Sequence, residues 1–348
     1  MSHASSVVSP SSPAPKKSSR LNRLAIGCVG LLAFACVAIG GWAFYENWQQ
    51  EQNFNAGEQA YLKADCAAAL EPLRKAARGE PGTRDSDVAR KAQARLQECE
   101  ALVAATDLAK QNKPADAVIR YSDFITKYVN SPLKATALSG SQTLVKNTKP
   151  NDLATDSVCQ RLTPLAAQQI IATPAETVPP LLYACGQNYE AAKKFSEAVF
   201  FYGRLRREYP NHSLAKDAQT AFARATIAEA QAMGAGALPP PQARSGSAGT
   251  QVTVVIRNDS PEPLSIVFSG PDVRVEELEA CATCVRFTGT GPSACPDKGP
   301  VGRYVLKPGS YDVVVKTSSG RNVTPFRGTW NLDRPQEYSS CFYLVTRN

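Results

Sequence analysis

The sequence predicts a multi-domain α plus β chain: a transmembrane helix, a helical-repeat (α-solenoid) domain and an antiparallel β-sandwich domain. Three observations carry this. Leu24 to Tyr45 is a run of 22 residues without a charge, between Arg23 and Glu46. Residues 46–232 are rich in Ala, Leu, Gln, Lys, Arg and Glu, all good helix formers. From Gln251 the pattern shifts to a period of two with β-branched residues, as in TQVTVVIRN. A length of 348 residues suits two folded units plus an anchor.

As a helix, the uncharged run reaches roughly 33 Å at about 1.5 Å per residue, enough to cross a bilayer core. Lys16, Lys17, Arg20 and Arg23 precede it, and Glu46 and Glu51 follow. The positive-inside rule then predicts a single-pass plasma-membrane protein with residues 1–23 as a disordered cytoplasmic tail, 24–45 as the span and 46–348 outside. Trp42, Tyr45 and Trp48 cluster at the outer end, where amphipathic rings favour an interface. A cleaved signal peptide fits less well, because the run is long and GGWAFYENW is a poor exit. The sequences before Cys28 and Cys36 resemble a lipobox only loosely.

Within 46–232, three stretches read as helix, short break, helix: Asn55 to Pro81, Val103 to Pro132 and Tyr183 to Ala218. The third places Gly186 and Tyr189 in its first helix, Ala198 and Tyr202 in its second, and Pro210 after it. Small residues let antiparallel helices approach, aromatics fill the flanking grooves, and proline stops a helix. These residues resemble a tetratricopeptide repeat, with Leu205 as a departure. The tail YPNHSLAKDA is similar to repeats of membrane-anchored bacterial envelope proteins, and the resemblance implies scaffolding. Gly57, Ala69, Ala76 and Pro81 match in the first stretch, and Ala117 and Tyr121 in the second. Ala69, Ala117 and Ala198 lie 48 and 81 residues apart, against a regular period of 34, so the array is irregular. Extra helices are expected at Ser86–Cys99 and Asp152–Ile171. Cys66 and Cys99, then Cys159 and Cys185, are placed to staple neighbouring helices. Arg204, Arg206 and Arg207 read as a solvated face near a helix C-terminus.

Met233 to Thr250 reads as a linker of Gly, Ala, Pro and Ser. Residues 251–348 then give strands at TQVTVVIRN, PLSIVFSG, either side of Lys307-Pro308-Gly309, RNVTPFRGTWNL and EYSSCFYLVTRN. The stretch YVLKPGSYDVVV reads as a hairpin and resembles those of small envelope-associated sandwich modules. Four cysteines fall here: Cys281, Cys284, Cys295 and Cys341. Disulfides, a zinc site and a redox CxxC compete. Zinc lacks a second knuckle, and a redox CxxC lacks its βαβ context. The favoured pairing is one bridge within 281–295 and one to Cys341. Eight cysteines on one side of the predicted span fit an oxidising compartment, with buried free thiols as the alternative.

The formal net charge of +8 is concentrated in the first 45 residues, which leave 35 basic and 31 acidic residues beyond them. That is too mild for a nucleic-acid partner. His212 is the one histidine after residue 45, and no GxGxxG, GxxxxGK[ST] or HExxH occurs. Glu276, Glu277 and Glu279 read as a solvated charge run. Asn211, Asn258 and Asn322 each open an Asn-x-Ser/Thr sequon. The expectation is a non-catalytic, membrane-anchored scaffold without cofactor or metal, binding a protein partner through its repeat groove or its β-domain. The alternative is a sensing module whose sandwich binds a wall polymer or small molecule.

Overall fold

A computed structural model describes residues 42, 44–79, 86–244, 251–318 and 323–346. They form helices followed by mixed sheets, in two compact units. The predicted fold class needs two corrections. Among the described residues no helix is long and apolar enough to cross a membrane. The run 24–45, with Cys28, Cys36 and the N-terminal tail, lies outside the described residues apart from Trp42, Phe44 and Tyr45. The sandwich is also not antiparallel throughout, because three of its strand pairs are parallel.

The first unit comprises the described residues up to Val103, with Ser131–Leu133. It pairs α1 (44–62) with α2 (Cys66–Arg78) and the start of α3 (Asp87–Lys110). Gly57 sits where a Cβ would come within 2.7 Å of Leu73 Cγ, so the missing side chain sets how closely α1 and α2 approach. Asp65 caps α2 by accepting from Ala68 N at 3.0 Å. Cys66–Cys99 bridges α2 to α3. Tyr61, fully buried, donates to Glu98 Oε2 at 2.5 Å, and the Arg95 guanidinium lies 4.6 Å from its ring centroid. Burial, then the Glu98 hydrogen bond, pushes the Tyr61 phenol up to about 12. The helix expected at Ser86–Cys99 runs on into the second stretch as one continuous helix, α3.

The second unit holds residues 104–130 and those from Lys134 onward. Its helices are the end of α3, α4 (Pro114–Lys127), α5 (Lys134–Asn147), α6 (Pro150–Leu153), α7 (Asp156–Gln160), α8 (Leu162–Ala167), α9 (Pro174–Ala191), α10 (Phe195–Glu208) and α11 (Ala215–Ala232). The extra helices expected over Asp152–Ile171 are three short ones, α6, α7 and α8. Pro150 opens α6, and Gln169 turns the chain with φ +62°.

One turn recurs in both units. Ala64, Asn112 and Lys193 each take a left-handed φ of 57–59°. In each case the next amide bonds back to the carbonyl five residues earlier: Asp65 to Ala60, Lys113 to Leu108 and Lys194 to Tyr189. Five residues after each turn comes a fully buried alanine, Ala69, Ala117 or Ala198. Seven before it comes a small residue: Gly57, Ala105 or Gly186. The spacings of 48 and 81 are thus repeats of one hairpin, and α6–α8 occupy the longer gap.

The strands are β1 (Gly236–Ala237), β2 (Gln242–Ala243), β3 (Val252–Asn258), β4 (Leu264–Ser269), β5 (Val273–Leu278), β6 (Phe287–Thr288), β7 (Val301–Leu306), β8 (Gly309–Thr317), β9 (Phe326–Leu332), β10 (Glu337–Phe342) and β11 (Val345–Thr346). One sheet runs β1-β9-β8-β4-β5, the other β2-β10-β3-β7, and β11 pairs with β6. Phe268 centres the core between them, with the rings of Tyr304, Trp330 and Tyr311 at 5.8, 6.1 and 6.4 Å. The expected hairpin YVLKPGSYDVVV is corrected: β7 and β8 belong to different sheets, so Lys307-Pro308-Gly309 is a crossover.

The opposite face of the first sheet is also buried. Val267 and Val314 point away from the core yet have no exposure, because α11 packs over β4 and β8. That explains the consecutive apolar residues Ile266, Val267 and Phe268 on β4 and Val313, Val314 and Val315 on β8. Helix α11 is buried by α10 as well, and its AKDAQTAFARATIAEAQA composition suits close approach on two sides. Lys316 pairs with Glu229 at 2.7 Å, and Gln219 Nε2 donates to Val273 O at 2.6 Å. The stretch read as a linker is partly structural. Residues 236–243 supply β1 to one sheet and β2 to the other, Leu238 enters the core, and Trp330 Nε1 donates to Pro239 O.

Candidate functional site

The repeat-packing residues converge on the α9–α10 hairpin. A Cβ on Gly186 would lie 2.5 Å from Tyr202 Cε1, so the glycine makes room for a fully buried ring. Tyr202 donates to Glu190 Oε2 at 2.9 Å, and Arg224 of α11 also binds that carboxylate at 2.6 and 2.8 Å. Burial foremost, then the Glu190 bond, raises the Tyr202 phenol, while the Arg224 hydrogen bond lowers Glu190. Tyr189 stacks on Phe201 at 5.3 Å and donates to Asp156 at 2.5 Å, tying the interposed α7 to α9. Ala198 is buried, and Pro210 follows the α10 C-cap at Tyr209 on the surface. Leu205, the departure from the repeat pattern, is fully buried.

The arginine run is not one solvated face. Arg204 forks onto Glu208, and Arg206 lies half-buried over the Phe222 ring at 5.1 Å. Burial lowers the Arg206 guanidinium, against the opposing pull of Glu277 and Glu276. Arg207 alone is exposed. On the outer side of α10, Phe200 leaves 53% of its surface exposed between Phe201 and Arg204. Phe44, Tyr45 and Trp48 on α1, and Trp42 before it, are all at least half exposed. His212 is spent locally, its Nδ1 accepting from Leu214 N.

All eight cysteines of the described residues are paired: Cys66–Cys99, Cys159–Cys185, Cys281–Cys284 and Cys295–Cys341. The favoured disulfide reading holds for Cys281, Cys284, Cys295 and Cys341 over the zinc alternative, because a bridged sulfur is no thiolate ligand. The pairings match the expected staples, with one bridge inside 281–295 and one to Cys341. Four such bonds place this part of the chain in an oxidising, extracytoplasmic compartment.

The Cys-bearing loops are organised by Asn258-Asp259-Ser260, each 1% exposed or less. Asn258 Nδ2 donates to Glu262 O and Glu279 O at 2.8 and 2.7 Å, so this sequon is consumed by the fold. The Asp259 carboxyl group accepts from the amides of Asp297, Lys298 and Gly299 at 2.7–3.3 Å. Ser260 O accepts from Cys281 N at 2.9 Å. From the sequence alone, this triplet reads only as a possible glycan acceptor. The available signal was three small polar residues directly after an apolar strand, where side chains replace ladder bonds. The carboxylates of β5 are likewise engaged: Glu276 pairs with Arg274, and Glu277 accepts from Ser318. The sequon at Asn211 lies exposed in the α10–α11 turn, and Asn322 lies outside the described residues.

Two cavities among the described residues lie against the sheets. A small apolar notch is lined by Leu264, Val315, Phe326, Phe342, Tyr343 and Leu344, at the sandwich end that carries the stapled loop. Tyr343 reaches that loop by donating to Pro292 O at 3.4 Å. A wider polar cleft of about 350 Å³ lies between Gln231, Gly234 and Ala235 at the end of α11 and Arg327 to Thr329 on β9. Arg327 is partly engaged there, facing Gln231 Oε1 at 3.4 Å and Asp312 Oδ1 at 3.7 Å. Neither a family model nor a curated protein matches the chain.

Proposed function

We propose that the protein is a non-catalytic interaction scaffold of an oxidising, extracytoplasmic compartment, binding a protein partner across its helical hairpins. The observation that carries this reading is the way the helices are fixed. Cys159–Cys185 ties α9 to α7, and α11 is buried by α10 on one side and by the β4–β8 sheet on the other, so α9 and α10 present a stiff outer surface. A pre-formed surface binds with little ordering cost. Phe200 is a large exposed aromatic held between neighbours on that surface, the kind of group that anchors protein contacts. A photo-reactive residue at Phe200, in the protein's own cells, should form one discrete protein adduct, and one at exposed Arg207 on the same helix less. No adduct at Phe200 or at other exposed positions of α9 and α10 would refute the reading.

A second reading has its own observation. The apolar notch beside Tyr343 would suit a sandwich that binds a small apolar group or a wall polymer. Protection of Phe326 and Tyr343 from surface labelling by wall fragments, with Phe200 unaffected, would favour it.

A further inference from the structure

We propose that Cys281–Cys284 is a site of thiol–disulfide exchange, opened by a dithiol protein of the oxidising compartment through a mixed disulfide at Cys284. Three bridges join residues 33, 26 and 46 apart in the chain, and this one joins residues three apart. A bridge that closes a long loop stabilises the fold, and by linkage the fold stabilises that bridge against reduction. A three-residue closure takes clearly less from the unfolded chain than closures of 26 to 46 residues, so the fold returns less protection to it.

The surroundings agree. The chain at Cys281 keeps its place without the bridge, through Cys281 N to Ser260 O, Arg286 to Glu262 at 2.5 Å, the Asp259 cradle and Cys295–Cys341. The two sulfurs differ in access. Cys281 is 3% exposed, whereas Cys284 is only partly covered. Ala282, Thr283 and Val285 around Cys284 are exposed and uncharged, with Val285 63% exposed, which offers a docking lip for a partner. The helical bridges have no such access, because Cys66, Cys99, Cys159 and Cys185 are all 5% exposed or less. Cys295 is exposed, but its bond pins a loop to β10 across 46 residues.

The exchange is balanced in two steps. A partner thiolate attacks Cys284 Sγ; the new S–S bond forms there, the Cys281–Cys284 bond breaks, and the electron pair leaves on Cys281 Sγ, which takes a proton from water. The partner's second thiol, as its thiolate, then attacks the partner sulfur of the mixed disulfide. Cys284 leaves as a thiolate and is protonated. The pair is reduced to two thiols, and the partner dithiol is oxidised to a disulfide.

The test is graded reduction of the full chain with dithiothreitol, alkylation and peptide mapping. Cys281 and Cys284 should be labelled at about tenfold less reductant than the other six cysteines. A thioredoxin whose second active-site cysteine is replaced by serine should be trapped on Cys284. Labelling of any other pair first, or together with this one, would overturn the proposal, as would a trapped adduct on Cys281 or Cys295.

Discussion

The helical hairpins and the sandwich reach a buried core by different routes. The hairpins use local contacts repeated in register: a left-handed turn residue, an alanine five residues on, and a small residue seven before. The sandwich uses contacts distant in sequence. β10 pairs in parallel with β3, roughly 80 residues earlier, and a strap at 236–243 feeds both sheets. Local repetition tolerates insertions such as α6–α8. A core centred on one ring does not tolerate losing it.

The comparison can be broken most sharply at that ring. Phe268→Ala should cost about 3–5 kcal/mol by removing the aromatic shared by Tyr304, Tyr311 and Trp330, measured by chemical denaturation. Because α11 covers the same sheet, the loss should also lower protection of α11 amides. Gly186→Ala should cost about 1–3 kcal/mol, since Tyr202 is buried and rigid and cannot yield to the new Cβ.

A smaller effect is set by pH. The Tyr61 phenol is held up at about 12 against an ordinary value of 10, so the folded state favours its neutral form. Its contribution is complete below pH 10 and is lost as pH rises toward 12. Tyr61→Phe should flatten the fall in stability across that window, and an unchanged slope would remove Tyr61 from the account. The smallest effect is a gain. Lys193 holds a left-handed φ at 57° that costs a side-chain residue about 1 kcal/mol, so Lys193→Gly should stabilise by about that amount. The same change at Lys194, outside that conformation, should not stabilise.

The hairpins were legible because small residues, aromatics and cysteines recur at fixed offsets. Gly186, Ala198 and Tyr202 can be placed from the sequence, and so can the Cys66–Cys99 and Cys159–Cys185 bridges. Much of the sandwich was less legible. β1 and β2 are two residues each around prolines, too short to carry a period. VRVEEL of β5 was obscured by its glutamates, which the fold satisfies with Arg274 and Ser318. A Pro-Gly turn looks alike whether it closes a hairpin or carries the chain between sheets, so the β7–β8 crossover was hidden. The buried triplet Val313-Val314-Val315 was the clue that β8 is covered on both faces.

Packed through α11 onto β4 and β8, helices α9–α11 and the sandwich should behave as one stiff body. Native-state hydrogen exchange of the full chain across a denaturant series tests it most directly. The buried amides of α11 should open with the same free energy and the same denaturant dependence as those of β4 and β8. Opening of α11 at clearly lower free energy, while β4 and β8 stay protected, would contradict it.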